Sequence, residues 1–248
     1  MNPTYFGAEY TGQTTDQFCR IGAREAPPDL AILGDSHALS LAPALDQWLT
    51  QSGRSAVFVF RGGCMPVLDA GDARCQHYTT DVMAKLPGVP SLQEVMLISI
   101  WRQPFEGAGM LFSDRWVTRA DTPRVFTEKL SATVTRWRQQ DLKITLIDPL
   151  FAAPANVPDT LAYNMIFGLD RPIHKPRAQH EAEFADLYAA FDQQISPEVR
   201  RVSLIEDFCQ SGICESLWQG RPVFTDNNHP TLSMAPEFVR IFMREMAR

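Results

Sequence analysis

The stretch AILGDSHAL, residues 31–39, decides how this sequence is interpreted. A short apolar run ends at Gly34 and Asp35, and Ser36 and His37 then open a segment whose apolar residues recur at helical spacing. That pattern predicts a buried strand, a tight turn and an amphipathic helix. A serine at this junction holds its hydroxyl at the carboxyl edge of a sheet, where the amide groups of the helix start favour a developing oxyanion. The same serine is also among the residues preferred as a simple helix N-cap.

Asp35, Ser36 and His37 stand side by side, but this order does not make them a catalytic triad. Consecutive residues of a helix are rotated by about 100° and do not face each other. We therefore expect His37 to point away from the Ser36 hydroxyl and Asp35 to shape the turn. A histidine base for Ser36 must come from another part of the chain.

The best source of that base is TDNNHP, residues 225–230, just before the last helical pattern. An Asp-x-x-His turn lets Asp226 accept a hydrogen bond from one ring nitrogen of His229. This fixes the tautomer and leaves the other nitrogen free for a serine. Taken alone, Asp226 fits an N-cap or an Asx-turn equally well, and His229 fits a surface loop.

The rest of the chain alternates between strand and helix patterns. Strands are predicted at residues 29–34, 55–60, 94–101, 143–150 and 201–208, and helices at residues 36–52, 123–140, 178–195 and 232–248. The strands are short, apolar and without clean alternation, which is typical of strands buried on both faces. We predict an α/β fold, a three-layer α/β/α sandwich around a five-stranded parallel sheet. Residues 1–248 are expected to form a single domain, with residues 1–28 as an N-terminal extension and residues 151–175 as a loop or lid.

The bulk composition excludes several classes of function. The chain has 248 residues, of which 45% are hydrophobic and 21% charged, and a net charge of −6. A negative chain offers no electrostatic basis for binding nucleic acid or anionic lipid. No run approaches the roughly 20 apolar residues of a membrane span, and no signal-peptide pattern follows Met1. We expect a soluble globular chain.

Five cysteines occur, Cys19, Cys64, Cys75, Cys209 and Cys214. Their spacings do not combine into a convincing zinc site. Two short disulfide loops, Cys64–Cys75 and Cys209–Cys214, are one interpretation and imply an oxidising compartment. Five buried thiols in a cytosolic protein are the other, and spacing alone does not separate the two.

In their order along the chain, these motifs resemble the SGNH (GDSL-like) hydrolase superfamily. They are closest to the SGNH domain fused to the C-terminus of membrane acyltransferase-3 proteins, which O-acetylate bacterial surface polysaccharides. The resemblance runs from about Cys19 to the C-terminus. It is carried by GDSHA at 34–38, GCMP at 63–66 with Cys75, Trp101, FCQSGIC at 208–214 and DNNHPT at 226–231.

The resemblance implies a flavodoxin-like SGNH-hydrolase fold and assigns roles to individual residues. Ser36 would be the nucleophile, His229 the general base and Asp226 its orienting partner. The backbone amides of Ser36 and of Gly63 or Gly62 would form the oxyanion hole.

The sequence departs from the superfamily after the third strand, where ISIWRQ at 98–103 lacks the usual asparagine. A tryptophan at this position resembles the branch of the superfamily that is fused to acyltransferase domains. The indole of Trp101, the side chain of Arg102 or a substrate group would have to replace the missing oxyanion donor. Asp35, His37, Trp101 and Arg102 are candidates for contacting substrate or for supporting the residues that do.

The implied function is an O-acetyltransferase that passes an acetyl group through an acetyl-serine to a sugar hydroxyl of a polysaccharide such as O-antigen. A carbohydrate acetylesterase and a non-catalytic polysaccharide-binding module are the alternatives. A metal-dependent phosphoesterase using Asp35 and His37 with Asn228 and His229, and Asp72 as a further ligand, is a weaker rival, and no metal site is expected. Trp101, Trp116, Trp218 and Tyr163 are candidates for stacking on sugars, or else core residues.

The resemblance also sets expectations for partners and location. No cofactor would be bound, and the acetyl donor, ultimately acetyl-CoA, would be delivered by a membrane acyltransferase-3 domain. The chain would be periplasmic and tethered to the inner membrane through that upstream domain, and monomeric when isolated. It would be either an excised C-terminal domain or a stand-alone relative. A periplasmic location favours the two disulfides over free thiols.

Overall fold

The computed structural model describes residues 17–247, and its helices and strands build a sheet between two helical layers. The strands are β1 (Gln17–Gly22), β2 (Leu30–Gly34), β3 (Ser55–Phe60), β4 (Glu94–Ile98), β5 (Gly109–Phe112), β6 (Arg115–Thr118), β7 (Lys143–Ile147), β8 (Lys175–Pro176), β9 (Val199–Val202), β10 (Ile213–Cys214), β11 (Leu217–Trp218) and β12 (Arg221–Pro222). The helices are α1 (Ser36–Gln51), α2 (Ala73–Lys85), α3 (Thr122–Arg138), α4 (Val157–Phe167), α5 (Arg177–Glu183), α6 (Ala185–Asp192) and α7 (Ala235–Glu245).

The central sheet has the strand order β1-β3-β2-β4-β7-β9, and all of its pairings are parallel except that of β1 with β3. Its five parallel strands follow the flavodoxin-like order, in which the first strand lies inside the sheet. Helices α1 and α7 cover one face, whereas α2, α3 and α6 cover the other. The predicted α/β/α fold is confirmed.

The sheet has six strands, so the prediction of five is corrected. The additional strand is β1, which lies within the predicted N-terminal extension and pairs antiparallel with β3 at the sheet edge. Its side chains alternate: Cys19 and Ile21 are buried and Arg20 is exposed. That alternation is typical of a strand with one buried face, unlike the continuous apolar runs of the parallel strands.

Several predicted boundaries move because backbone groups find other partners. Strand β4 ends at Ile98 rather than at 101, since the next residues turn toward Asp35. Strand β9 occupies Val199–Val202 rather than 201–208. The predicted helix at 178–195 is two helices, α5 and α6, and the predicted loop at 151–175 contains α4. Helix α4 is capped by Asn156, which accepts the N–H of Asp159, and it ends at Gly168 in the left-handed conformation.

Gly34 allows the close approach that places Ser36. A Cβ at this position would lie 2.0 Å from the carbonyl oxygen of Ile98 and 2.5 Å from the Cβ of Ala38. Only glycine therefore lets β2, β4 and the first turn of α1 pack this tightly. Asp35 then caps α1 by accepting the N–H of His37.

Two disulfides, Cys64–Cys75 and Cys209–Cys214, are present, so the interpretation of five free thiols is wrong. The first ties the loop after β3 to α2. Cys19 remains a buried free thiol, and burial raises its pKa. Among the described residues, none of the helices combines the length and apolar character needed to cross a membrane.

Candidate active site

The first residue of α1 and the turn before α7 meet at the carboxyl edge of the sheet. The Ser36 Oγ lies 2.8 Å from the His229 Nε2, and the His229 Nδ1 lies 2.7 Å from the Asp226 Oδ2. Ser36 is half-buried, and the side chains of His229 and Asp226 are 28% and 38% exposed. The structure thus brings the three residues together in the order of a serine–histidine–carboxylate triad. We call these three residues the relay.

The two oxygens of Asp226 perform different tasks. Its Oδ1 accepts the backbone N–H groups of Asn228 and His229, each at 2.8 Å, and so forms the Asx-type turn. Its Oδ2 is left to face the His229 ring. Burial, the largest single influence, opposes ionisation of this carboxyl, but the hydrogen bonds from Asn228 and His229 together lower its pKa. Asp226 is therefore kept as the carboxylate that orients an imidazole.

The segment before α4 holds this turn in place. The Ala153 N–H donates to the Asn227 carbonyl at 2.7 Å, and the Val157 N–H donates to the Asp226 carbonyl at 2.8 Å. The Thr225 N–H closes the turn onto the His229 carbonyl at 2.8 Å. The segment predicted as a loop or lid therefore supports the turn from its first residues.

Asp35 joins the serine-bearing turn to the neighbouring strand. It is buried, its Oδ1 accepts the His37 N–H at 2.8 Å, and its Oδ2 accepts the Ser99 hydroxyl at 2.6 Å and the Ile100 N–H at 3.0 Å. Both carboxylate oxygens are thus committed to the fold at the ends of β2 and β4.

His37 is buried beside the histidine of the relay. Its ring centroid lies 4.5 Å from that of His229, with the two planes inclined by 34°. Burial lowers the pKa of His37 to about 4, while the nearby Asp35 acts in the opposite direction.

Three backbone amides are the candidates for an oxyanion hole. Ser36 is the first residue of α1, and Gly62 and Gly63 lie in an exposed turn after β3, with Gly63 at a φ of 73°. This turn is fixed by the Arg61 N–H on the Gly34 carbonyl and by the Cys64 N–H on the Arg61 carbonyl. Within residues 17–247, no intramolecular hydrogen bond engages the N–H of Ser36, Gly62 or Gly63. These groups are free to bind an oxyanion.

The structure corrects the assignment of Trp101 as a substrate-facing donor. Its side chain is completely buried, and the indole N–H donates to the Ile147 carbonyl at 2.8 Å. The guanidinium of Arg102 forms an ion pair with Glu106. Gln103, which sequence reasoning missed, has its amide Nε2 3.9 Å from where a Cβ of Gly63 would lie. A side-chain amide shortly after the end of β4 is the sequence feature that could have identified Gln103.

The other aromatic candidates differ in exposure. Trp116 is 56% exposed and borders a groove of about 400 Å³ between the β5–β6 hairpin and α3. Tyr163 is 49% exposed on α4, and Trp218 is half-buried. Trp116 and Tyr163 therefore present ring surface to solvent.

Two of the carboxylates considered as metal ligands form hydrogen bonds within the protein instead. Asp72 caps α2 by accepting the Cys75 N–H, and Asp35 is engaged as described. In the portion of the chain that the structure describes, no three His, Cys, Asp or Glu side chains gather as a metal-binding group.

Comparison with known proteins identifies the family. A family model described as an SGNH domain fused to AT3 domains matches residues 5–244. The chain therefore belongs to this family of SGNH domains. Among curated proteins, no sequence matches the chain.

Solved structures that share the fold include two bacterial proteins. The periplasmic domain of a lipopolysaccharide acetyltransferase from Salmonella ser. Paratyphi A aligns with a TM-score of 0.66 and 15% identity, over 92% of this chain and 87% of that domain. A candidate acylhydrolase from Bacteroides fragilis aligns with a TM-score of 0.50 and 10% identity, over 90% of this chain and 88% of that one. At these identities, the likeness concerns the fold.

Proposed function

We propose that this SGNH domain is an O-acetyltransferase that carries an acetyl group on Ser36 to a sugar hydroxyl of a bacterial surface polysaccharide. The observation that carries the proposal is the relay at the sheet edge, with Ser36 Oγ 2.8 Å from His229 Nε2 and His229 Nδ1 2.7 Å from Asp226 Oδ2. Membership of a family fused to AT3 domains supports acyl transfer.

In the first half-reaction, His229 Nε2 accepts the Ser36 proton while Ser36 Oγ attacks the carbonyl carbon of an acetyl donor. The carbonyl oxygen becomes an oxyanion, which accepts hydrogen bonds from the N–H groups of Ser36 and of Gly62 or Gly63. Asp226 stabilises the imidazolium that forms on His229. Collapse of the intermediate expels the leaving group, which takes the proton from His229, and leaves an acetyl-serine ester.

In the second half-reaction, a sugar hydroxyl enters the site. His229 removes its proton, the sugar oxygen attacks the ester carbonyl, and the Ser36 oxygen leaves and regains a proton from His229. The same steps with water in place of the sugar make the domain an acetylesterase. The exposure of the His229 and Asp226 side chains supports some hydrolysis by the isolated domain, because water reaches the relay.

The third oxyanion donor, usually an asparagine in the superfamily, needs a replacement. We infer that the side-chain amide of Gln103 provides it. The position of this amide next to Gly63, together with the engagement of Trp101 and Arg102 elsewhere, supports this choice.

The partners and compartment follow from the same family relationship. We propose that residues 1–248 act as one catalytic domain in the periplasm, and that a membrane AT3 domain delivers acetyl groups derived from acetyl-CoA. The two disulfides support an oxidising compartment. The structural likeness to a periplasmic acetyltransferase domain of Salmonella is consistent with this location.

The experiment that tests the function uses p-nitrophenyl acetate, with and without EDTA, on the wild type and on Ser36→Ala. Ester turnover that survives EDTA and is lost in Ser36→Ala supports the serine mechanism. Loss of turnover with EDTA points to a metal enzyme, and absence of turnover from the wild type favours a binding module. Addition of a polysaccharide acceptor, with mass spectrometry of the sugar, then separates transferase from esterase.

A further inference from the structure

The first turn of α1 and the 226–229 turn are joined by two stacked histidines. His37 is 3% exposed, and its ring lies against that of His229, with centroids 4.5 Å apart and planes inclined by 34°. The relay histidine therefore has the Asp226 carboxylate at one nitrogen, the Ser36 hydroxyl at the other, and an imidazole face against its ring.

The His37 ring lies in the protein interior beside the 226–229 turn. Its Nδ1 is buried without a hydrogen-bond partner, and the nearest Asp35 oxygen is 3.7 Å away. The contact with the His229 ring therefore joins His37 to the turn that carries His229.

The charge of His37 matters for the reaction. Burial lowers the pKa of His37 to about 4, so the ring is neutral near neutral pH. When His229 takes the Ser36 proton, its ring becomes a cation in contact with that neutral ring. The face of an uncharged aromatic ring attracts a cation, whereas a second imidazolium at this distance would repel it.

We propose that His37 is a positioning residue, whose buried ring packs against the His229 imidazole, holds it between Ser36 and Asp226 and stabilises its protonated form. This role rests on the proposed function, in which His229 is the general base. It explains why a buried imidazole with an unpaired nitrogen lies against the relay.

A second buried histidine provides a matched control. His180 is also completely buried, burial lowers its pKa to about 4, and its Nδ1 is unpaired as well. Its Nε2 meets the Tyr188 hydroxyl at 2.9 Å, and its ring packs on Phe184. Loss of His180 therefore removes a buried histidine of the same kind from a cluster that contains no relay residue.

The test compares His37→Ala, His37→Phe and His180→Phe in two measurements on the 248-residue protein. One is the NMR signal of the His229 Nδ1 proton that is shared with Asp226, and the other is kcat and KM for p-nitrophenyl acetate. We expect His37→Ala to lower kcat by about 10²-fold at unchanged KM and to broaden the proton signal beyond detection. His37→Phe keeps a flat ring and should lose less than about 10-fold. His180→Phe should change neither measurement in the folded protein.

A folded His37→Ala protein with wild-type kcat and a wild-type His229 signal would overturn the proposal. If His37→Ala does not fold, His37→Leu is compared with His37→Phe, and equal turnover and equal signals overturn it instead. Failure of the proposed function has a different signature, namely a wild type without Ser36-dependent turnover. The NMR comparison still tests the positioning of His229 in that case.

Discussion

At the carboxyl edge of the sheet, the chain after β2 and the chain after β7 each lead into a cluster of a carboxylate, a histidine and a hydroxyl. After β2, the Ser36 hydroxyl meets His229, and His229 meets Asp226, in a turn that water reaches. We call this the serine cluster. Its serine is half-buried, and its histidine and carboxylate are partly exposed.

After β7, Asp148 is buried and receives the Arg201 Nε at 2.6 Å. The Arg201 guanidinium lies 4.2 Å from the Tyr188 ring centroid, and the Tyr188 hydroxyl meets the His180 Nε2 at 2.9 Å. We call this the arginine cluster. Burial raises the pKa of Tyr188, and the Asp148 carboxylate adds to that effect.

The two clusters differ in the partners that their carboxylate, histidine and hydroxyl groups already have. In the arginine cluster, a cation satisfies the carboxylate, and burial holds both tyrosine and histidine neutral. In the serine cluster, the carboxylate binds only the histidine and its own turn, and the hydroxyl meets a partly exposed histidine. Residue types alone therefore do not make an active site. Access and uncommitted hydrogen-bonding groups do.

Ser36→Ala should give the largest difference in ester turnover between variants of the serine cluster and variants of the arginine cluster. We expect ester turnover to fall by about 10⁴-fold or more, because the nucleophile is gone and only binding and the oxyanion donors remain. The matched change in the arginine cluster is Tyr188→Phe, which also removes a hydroxyl that meets a histidine Nε2. It should leave turnover within about twofold. Comparable losses in the two variants would show that the arginine cluster also takes part in the reaction.

Asp226→Asn tests the carboxylate of the serine cluster. An amide cannot hold the His229 tautomer, so kcat should fall by about 10³–10⁴-fold with KM nearly unchanged. Asp148→Asn is the control from the arginine cluster, and we expect it to keep kcat per folded molecule. Steady-state kinetics with p-nitrophenyl acetate measure both. A mild effect of Asp226→Asn would remove Asp226 from the relay.

Gln103→Ala sharpens the picture of the oxyanion hole. Loss of one donor to the oxyanion should lower kcat by about 10²–10³-fold and leave KM unchanged. The control is Gln139→Ala, an exposed glutamine at the end of α3, which should be silent. Wild-type kcat in Gln103→Ala would mean that the hole works with backbone amides alone.

Arg201→Met should damage stability and spare chemistry. Removal of the cation leaves the Asp148 carboxyl buried without its partner. Since Arg201 is one quarter exposed, the loss in the free energy of unfolding should be about 2–3 kcal/mol, below the range for a fully buried pair. Urea unfolding measures this, and turnover per folded molecule should be unchanged. The double variant with Asp148→Asn should recover part of the lost stability.

The smallest effect concerns pH. Burial raises the pKa of Asp148 to about 6 despite Arg201, from an ordinary value of 3.8. The folded protein thus binds this proton more tightly than the unfolded chain. The group stabilises the fold at low pH, and that contribution is lost as pH rises through about 6.

Compared with Asp148→Asn, the wild type should therefore gain about 2 kcal/mol of unfolding free energy between roughly pH 7 and pH 4.5. Urea unfolding of both proteins at the two pH values measures the difference. A constant difference would place the carboxyl in an ordinary, solvated environment.

Local patterns in the sequence predicted the two turns that form the serine cluster. The apolar run, the glycine and the helical spacing around Ser36 concern neighbouring residues, and so do the hydrogen bonds within the 226–229 turn. The parallel direction of the strands in the sheet followed from their alternation with helices. These features depend on backbone preferences that a short segment contains in itself.

Features set by distant packing could not be predicted in this way. Trp101 is enclosed by Phe126 and Phe191 from two different helices, and its N–H finds the Ile147 carbonyl on a neighbouring strand. The Asp148–Arg201 pair likewise joins the ends of two strands. No local spacing indicates such partners.

The most direct test of the account is to trap the acetyl-serine. The protein is mixed with p-nitrophenyl acetate, quenched in acid within the time of a few turnovers, and examined by mass spectrometry of the intact chain and of its peptides. We predict one added acetyl group, located on Ser36, that is absent from Ser36→Ala and accumulates in His229→Ala only to a trace. An unmodified Ser36 during turnover, or an acetyl group that persists in Ser36→Ala, would contradict the account.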